Sequence, residues 1–399
     1  MKYKTRFLAF FVALTLFHLA ASYAHPVTPT IIQELGLNDY MFGLALAVMM
    51  GANFMLSPFW GKINLFLSSR YSLFISCLGY GVAQLGFAYA TTEGTILLFR
   101  FLAGVFVGGA FVSFLTYVVN VAKPEDQAKY LTASATIHSV AGAFGYLIGG
   151  FIGEYSIRAT FLAQAATLSL AGILFLLVCQ SDAQPCEQLS ARQVLKSANP
   201  LQAFFDGKYF LNTGFLLLFA MNILINFANT GFDQAFNYYL KDQLNLTSSY
   251  NGIIKAVVGM VSFVFNTTLC VWIIHKTNNR KSMVVLVAVC ALSAAGSLLS
   301  ARIWLYILYS VLVYAGYSVS IPVLQNMAAS QAVPGQKNLV MGFYNATKSL
   351  GSVIGSLTAG FIYAVHVKLP FLCITLVYGI GVLVALTYLI YSTRRYKSK

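Results

Sequence analysis

Five ionisable residues, Arg100, His138, Asp233, Lys255 and Lys348, sit inside stretches otherwise almost purely apolar. A charge at the centre of a bilayer costs at least ~2.5–3.5 kcal/mol on insertion scales, so such groups normally face a cavity or a partner. Histidine titrates near neutral pH, and a carboxylate exchanges its proton when its surroundings change. His18, His25, His138 and Asp233 are therefore the groups able to carry a proton. Asp233 and Lys255 lie near the same end of successive stretches, where a structural ion pair is favoured over contact with a solute. Lys348 is roughly ten residues, or ~15 Å, into its stretch and so close to mid-bilayer. It has no acidic neighbour in sequence and is read as cavity-facing. His138 is shallower and serves equally as a satisfied interior histidine or a proton carrier. No nucleophile–base pair, paired catalytic carboxylates or metal-ligand spacing emerges, so neither an enzyme, a metal site nor a cofactor is expected. Six scattered cysteines carry no CxxC and imply no disulfide framework.

Two polar stripes accompany these groups. Asn222, Asn226, Asn229 and Asp233 recur at steps of four, three and four, and His18, Ser22 and His25 at similar steps. That spacing puts each set on one helical face. Both stripes are read as cavity-facing; the alternative is hydrogen bonding between helices, which asparagine and serine also supply in membranes. Tyr317 and Asn345 join the set, since a tyrosine offers an aromatic solute both a ring and a hydroxyl. Tyr306 and Tyr309 are expected at an interfacial belt.

The elements that must hold these residues follow from composition. The chain has 399 residues, 58% hydrophobic and 9% charged, where a water-soluble domain carries about 25% charged residues. Apolar runs long enough to cross a bilayer predict an all-α membrane protein with twelve spans, near 7–31, 41–61, 72–91, 95–120, 131–153, 159–180, 210–238, 250–274, 283–301, 303–327, 339–364 and 369–391. The polar interval 181–209 divides residues 1–180, a six-helix bundle, from residues 210–399, a second one. If the spans alternate, nearly all Lys and Arg fall on one side; the other side holds Arg158, Lys241, Arg302 and Lys368. The positive-inside rule then places both termini and the 181–209 loop in the cytoplasm. The net charge of +14 is a topology signal rather than a nucleic-acid surface. A multi-pass monomer in a bacterial-type plasma membrane is expected. The start, MKYKTRFLAFFVALTLFHLAASYA, also has the form of a signal peptide, but it is expected to be retained, because its removal would spoil an internal repeat.

That repeat has an offset near 210. HSVAGAFGYLIGGFI (138–152) aligns with KSLGSVIGSLTAGFI (348–362), pairing His138 with Lys348. LNDYMFG (37–43) aligns with LTSSYNG (246–252), His18 with Asn226, His25 with Asp233, and Ala103-Gly104 with Ala315-Gly316. Two parallel six-helix halves with a site at their interface near mid-bilayer is an architecture of secondary transporters. The motif G-x-x-x-x-G-K-[ST] is absent, so ATP-driven pumping has no support.

Four stretches carry a family resemblance. GKINLFLSSR (61–70) is similar to the loop G-x-L-x-D-R-x-G-R-R but holds Asn64 and Leu65 around the acidic position. LLFRFLAGVFVGG (97–109) has Arg100, Gly104 and Gly108 where a span-4 motif has Arg and Gly. GAFGYLIGG (142–150) is similar to the antiporter motif G-x-x-x-G-P-x-x-G-G, with Tyr146 at the proline position. HPVTP (25–29) resembles the P-x-x-P end of span 1 in drug exporters. Over nearly its whole length the chain resembles a transporter of the major facilitator superfamily, and within it the twelve-helix drug:proton antiporter branch. The resemblance implies two pseudo-symmetric six-helix bundles, spans 3, 6, 9 and 12 as a peripheral scaffold, and a part for Arg100 in either coupling or packing. Its implied function is efflux of a small organic molecule against an inward proton. The alternatives are uptake of an anionic or zwitterionic nutrient and, behind it, a non-transporting sensor on the same fold, for which the degenerate 61–70 loop speaks. Gly142, Gly145, Gly149 and Gly153, with Gly351, Ser352, Gly355 and Ser356 in the repeat, form small-residue faces that let helix backbones approach; they are expected to pack across the interface between the halves.

Overall fold

The computed structural model describes residues 3–182, 212–332 and 337–397. Most of the 181–209 loop, with Cys186 and Arg192, therefore lies outside the described residues, as does Pro334. Among the described residues there are helices and turns and no strand. Twelve helices among the described residues are long and apolar enough to cross a membrane. They are span 1 (Tyr3–Glu34), 2 (Met41–Gly61), 3 (Ser69–Ala88), 4 (Glu93–Val121), 5 (Glu125–Tyr155), 6 (Ile157–Val178), 7 (Thr213–Asp242), 8 (Ser248–Lys276), 9 (Asn279–Leu299), 10 (Ile303–Gln331), 11 (Phe343–Val365) and 12 (Leu369–Arg394). The chain is an integral multi-pass membrane protein.

Local chemistry sets the helix ends. Thr92 and Thr95 form a reciprocal capping box at the start of span 4, Ser156 caps span 6, and Asn278 accepts from the amides of Arg280 and Lys281 at span 9. Each cap satisfies donors that have no partner within the helix. Span 1 is interrupted at HPVTP: helix Tyr3–Tyr23 gives way to turns before helix Thr28–Glu34 resumes, because Pro26 removes a donor and Pro29 fits a first helical turn. Asp182, just past span 6, accepts from the Ser69 amide and from the hydroxyls of Ser68 and Ser69, which anchors the start of span 3. Span 8 carries a feature the sequence pattern does not announce, a π-helical turn at Asn266–Cys270.

By contact density the chain forms two compact units. One comprises Met1–Leu37, Val48–Pro200 and Lys241–Gly259; the other comprises Asn38–Ala47, Leu201–Leu240 and Met260–Lys399. The first unit thus includes the opening turns of span 8, and the second the opening turns of span 2.

Glycines show how each unit is tied together, and the repeat reappears in space. In the first unit a Cβ on Gly145 would collide with the Leu19 carbonyl oxygen, and one on Gly149 with that of Tyr23. In the second, Gly355 lies against the Phe227 carbonyl oxygen and Gly351 against that of Ile223. Span 5 therefore packs backbone to backbone on span 1, and span 11 on span 7. This corrects, for Gly145, Gly149, Gly351 and Gly355, the expectation that the small-residue faces meet across the halves: these four are consumed by the neighbouring span of their own bundle, while Ser356 of the same face does meet span 2 of the other half. A Cβ on Gly142 would meet only the Ser22 hydroxyl, at 3.4 Å, so this is the looser member of the face.

The contacts that do join spans of different halves use other glycines. A Cβ on Gly252 of span 8 would meet the Tyr146 carbonyl oxygen of span 5 at 2.7 Å. In the other unit Gly43 of span 2 lies against the Ser356 carbonyl oxygen of span 11, and the Ser356 hydroxyl donates to the Gly43 carbonyl at 2.8 Å. Gly150 against Ser248 and Gly360 against Tyr40 are a further matching pair. One sequence pairing fails. Gly104 packs on Met49 and Ala52 of span 2, Gly108 on Asn53, and Gly316 on Cys290 of span 9. The Gly104/Gly316 offset of 212 is two residues out of register with the 138–152/348–362 alignment and three with the 37–43/246–252 alignment, and at ~100° per residue that is a different helix face.

Candidate functional site

Each unit holds a polar cluster in its interior. In the first, the His18 and His138 rings stack with centroids 4.6 Å apart and planes 16° from parallel. His18 is 4% exposed while His138 is exposed. Phe111 stacks on His138 at 5.6 Å, and Phe17 and Phe114 flank His18 at 5.3 and 5.8 Å. An accessible imidazole thus lies on a buried one within an aromatic wall. The repeat pairs each with a different residue of the other half, so no sequence signal joins the two histidines.

Toward the far end of span 1, His25 stacks on Tyr146 at 5.1 Å and 9°. The Lys255 ammonium lies 5.6 Å from the centroid of the same ring, and Lys255 is buried. Tyr146 occupies the place where the antiporter motif has proline, and it serves there as an aromatic partner for two nitrogenous side chains. Ser22 is half-buried. Close by, Glu154 accepts from the Ser249 hydroxyl. Arg100 is buried: its guanidinium covers the Phe87 ring at 4.0 Å and donates to Thr28 at 3.0 Å, and it touches the Met49 sulfur at 3.8 Å. It thereby ties span 4 to spans 1, 2 and 3. Asn64, standing near the acidic position of the loop motif, exchanges hydrogen bonds with Ser113 of span 4 at 3.0 and 3.2 Å.

In the second unit the span-7 stripe divides into two parts. Asn222 and Asn226 are fully buried. Asn222 donates to the Tyr344 carbonyl at 2.8 Å and to Thr347 at 2.9 Å, and Asn226 donates to the Asn222 carbonyl at 2.8 Å. Asn222 thus binds span 7 to span 11, and Asn226 is bound to Asn222 and to Tyr317 of span 10, the interhelical role weighed against a cavity lining. Higher on the stripe, Asn229 and Asp233 are half-buried. Asp233 accepts from the Tyr314 hydroxyl at 2.9 Å, and Tyr317 donates to Asn226 at 3.0 Å. On span 11, Asn345 is exposed and Lys348 half-buried. Lys348 makes no hydrogen bond or ion pair among the described residues. Tyr306, three residues into span 10, is buried, 5% exposed, against Phe236, Tyr239 and Phe371. Among the described residues no three His, Cys, Asp or Glu side chains gather as a metal site requires.

The Asn222 bonds give a clear expectation. Interhelical hydrogen bonds in membranes contribute ~0.6 kcal/mol on average and at most ~1.7. Asn222→Ala is expected to lower the thermal midpoint of the purified protein slightly, with flux kept within about twofold. A large loss of flux at unchanged midpoint would put Asn222 in the solute path.

Two helical units built on one repeated pattern, with ionisable side chains in their interiors, define a secondary membrane transporter. The chain belongs to the Major Facilitator Superfamily, whose model matches residues 10–313 and 239–399. Among curated proteins it is similar to the Quinolone resistance protein NorA of Staphylococcus aureus, 23% identical over 350 residues and 86% of each chain. It is also similar to Multidrug resistance protein 1 of Bacillus subtilis, 22% identical over 364 residues, covering 90% of this chain and 89% of that one. Among solved structures, a bacterial homologue of the human lysosomal transporter Spinster superposes with a TM-score of 0.77 at 12% identity, over 97% of this chain and 98% of that one. The nucleoside transporter NupG does so with a TM-score of 0.74 at 14% identity, over 98% of this chain and 99% of that one. At such identities the superpositions speak for the fold.

Proposed function

We propose that the protein exports small amphipathic aromatic molecules, anionic or zwitterionic, in exchange for protons, working as a monomer in a bacterial inner membrane with both termini cytoplasmic. The observation that carries this reading is the near full-length similarity to two drug-resistance proteins. The site chemistry supports it in two respects. Lys348, half-buried and without an ion pair among the described residues, supplies the charge that a carboxylate on the solute neutralises, with Asn345 one turn before it on span 11. The stacked His18 and His138 rings carry the proton: two imidazoles at this separation repel each other when both are charged, so the charge state of one bears on the other. The exposed ring exchanges with water and the buried one senses the occupancy of its neighbour.

The test uses the purified chain in vesicles, with a quinolone as first probe. An imposed pH gradient is expected to drive the quinolone toward the acidic compartment, with proton release in the opposite direction and collapse of both on adding a protonophore. Movement of solute and proton in the same direction would make it an uptake symporter. No flux of any solute across a broad screen would leave a sensor.

A further inference from the structure

Span 8 is the least protein-covered of the twelve: 17% of its apolar window is buried, against 28–56% for the others. Its π-helical turn at Asn266–Cys270 displaces the side chains that follow from a regular helical register. Beside that turn lies a groove of about 460 Å³, walled by Phe265 and Trp272 of span 8, Val285 and Val289 of span 9, and Leu312 of span 10, with Lys281 at one end. Trp272 is 56% and Val285 61% exposed, so the groove is open along its length. From Lys281 to Val289 the groove follows eight residues of helix, ~12 Å at 1.5 Å per residue, close to the depth of one leaflet of a ~30 Å hydrocarbon core.

The charged end is built for an anion. Lys276, Arg280 and Lys281 cluster at the turn between spans 8 and 9. Lys281, exposed and without a hydrogen bond from its side chain, faces the groove together with Thr277 and Ser282, whose hydroxyls lie 2.8 Å apart. Asn278 already occupies the first amides of span 9, so the recognition rests on side-chain charge and hydroxyls. An apolar channel of one leaflet's depth ending in an unpaired ammonium matches a lipid with a negative headgroup.

We infer that this groove is a binding site for an anionic glycerophospholipid, with one acyl chain along Val285, Val289 and Trp272 and the phosphate at Lys281. The groove's lining includes none of His18, His138, Lys255 or Lys348, and the assignment stands whichever solute the protein carries.

Trp272 provides the readout. The full chain in neutral detergent is titrated with phosphatidylglycerol carrying brominated acyl chains, and with phosphatidylcholine of the same chains. Subtracting the signal of Trp272→Phe isolates this indole from Trp60 and Trp304. Half-quenching is expected at about fivefold lower phosphatidylglycerol than phosphatidylcholine. Lys281→Gln, at an exposed position, should bring the two lipids together. Val289→Phe, which narrows the channel, should weaken both. Equal quenching by the two lipids in the wild type, or an unchanged preference in Lys281→Gln, overturns the assignment. Displacement of the brominated lipid by a quinolone also overturns it, making the groove an entry point for solute.

Discussion

Lys348→Ala is expected to cut substrate flux by about 10- to 100-fold while the yield of folded, monodisperse protein stays within about twofold of wild type; the bracket is that of one lost charge-assisted hydrogen bond, ~1.5–3 kcal/mol. The separation follows from the surroundings of the side chain. A lysine that neutralised a structural carboxylate would leave that partner stranded on removal, and such a loss commonly costs ~3–5 kcal/mol of stability. Lys348 makes no ion pair among the described residues and is half-buried, so its removal strands nothing. It even relieves a desolvated charge. Transport in vesicles and the chromatographic profile of the same preparation decide the matter. Parallel loss of flux and folded yield would mark Lys348 as structural. Lys348→Arg, which keeps the charge, should retain more flux than Lys348→Met.

The second large effect falls on folding. Gly145→Leu and Gly355→Leu should each abolish the folded peak, because the new side chain would enter the space of a backbone carbonyl, that of Leu19 or Phe227. Backbone cannot move aside as a flexible side chain can, so the whole helix pair must separate. In lipid, close packing of small residues is itself the main attraction between helices. Gly142→Ala is the control. Its nearest neighbour is the Ser22 hydroxyl at 3.4 Å, and alanine gains up to ~1 kcal/mol of helix propensity over glycine. That variant should fold at least as well as wild type. A folded, active Gly145→Leu would show that spans 1 and 5 are not held by this contact.

The spans and the repeat were legible in the sequence because hydropathy and glycine spacing are properties of the local chain. The alignments of 138–152 with 348–362 and of 37–43 with 246–252 anticipated contacts that recur in both units. Partners were less legible. A small-residue face announces close approach but not its target, and Gly145 and Gly149 turned out to serve span 1. The stripe at Asn222, Asn226, Asn229 and Asp233 was visible as one face; which part faces helix and which faces space depends on the neighbouring spans, and Asn222 went to span 11 while Asn226 went to Tyr317 of span 10. The His18–His138 stack could not be read at all, since it joins residues 120 positions apart. The π-turn of span 8 leaves no mark on hydropathy, which is an average over many residues.

The contacts of span 8 bear on how the protein is made. The first compact unit includes Lys241–Gly259, and Gly150 and Tyr146 of span 5 rest on Ser248 and Gly252. A ribosome finishes spans 1 to 6 well before this segment is synthesised, so the early half emerges with the end of span 5 uncovered. Its completion waits on chain that is still to be translated. The second unit has its borrowed piece, Asn38–Ala47, ready from the start. The order of synthesis therefore leaves the amino-terminal bundle as the one exposed to membrane proteases and quality control during the interval.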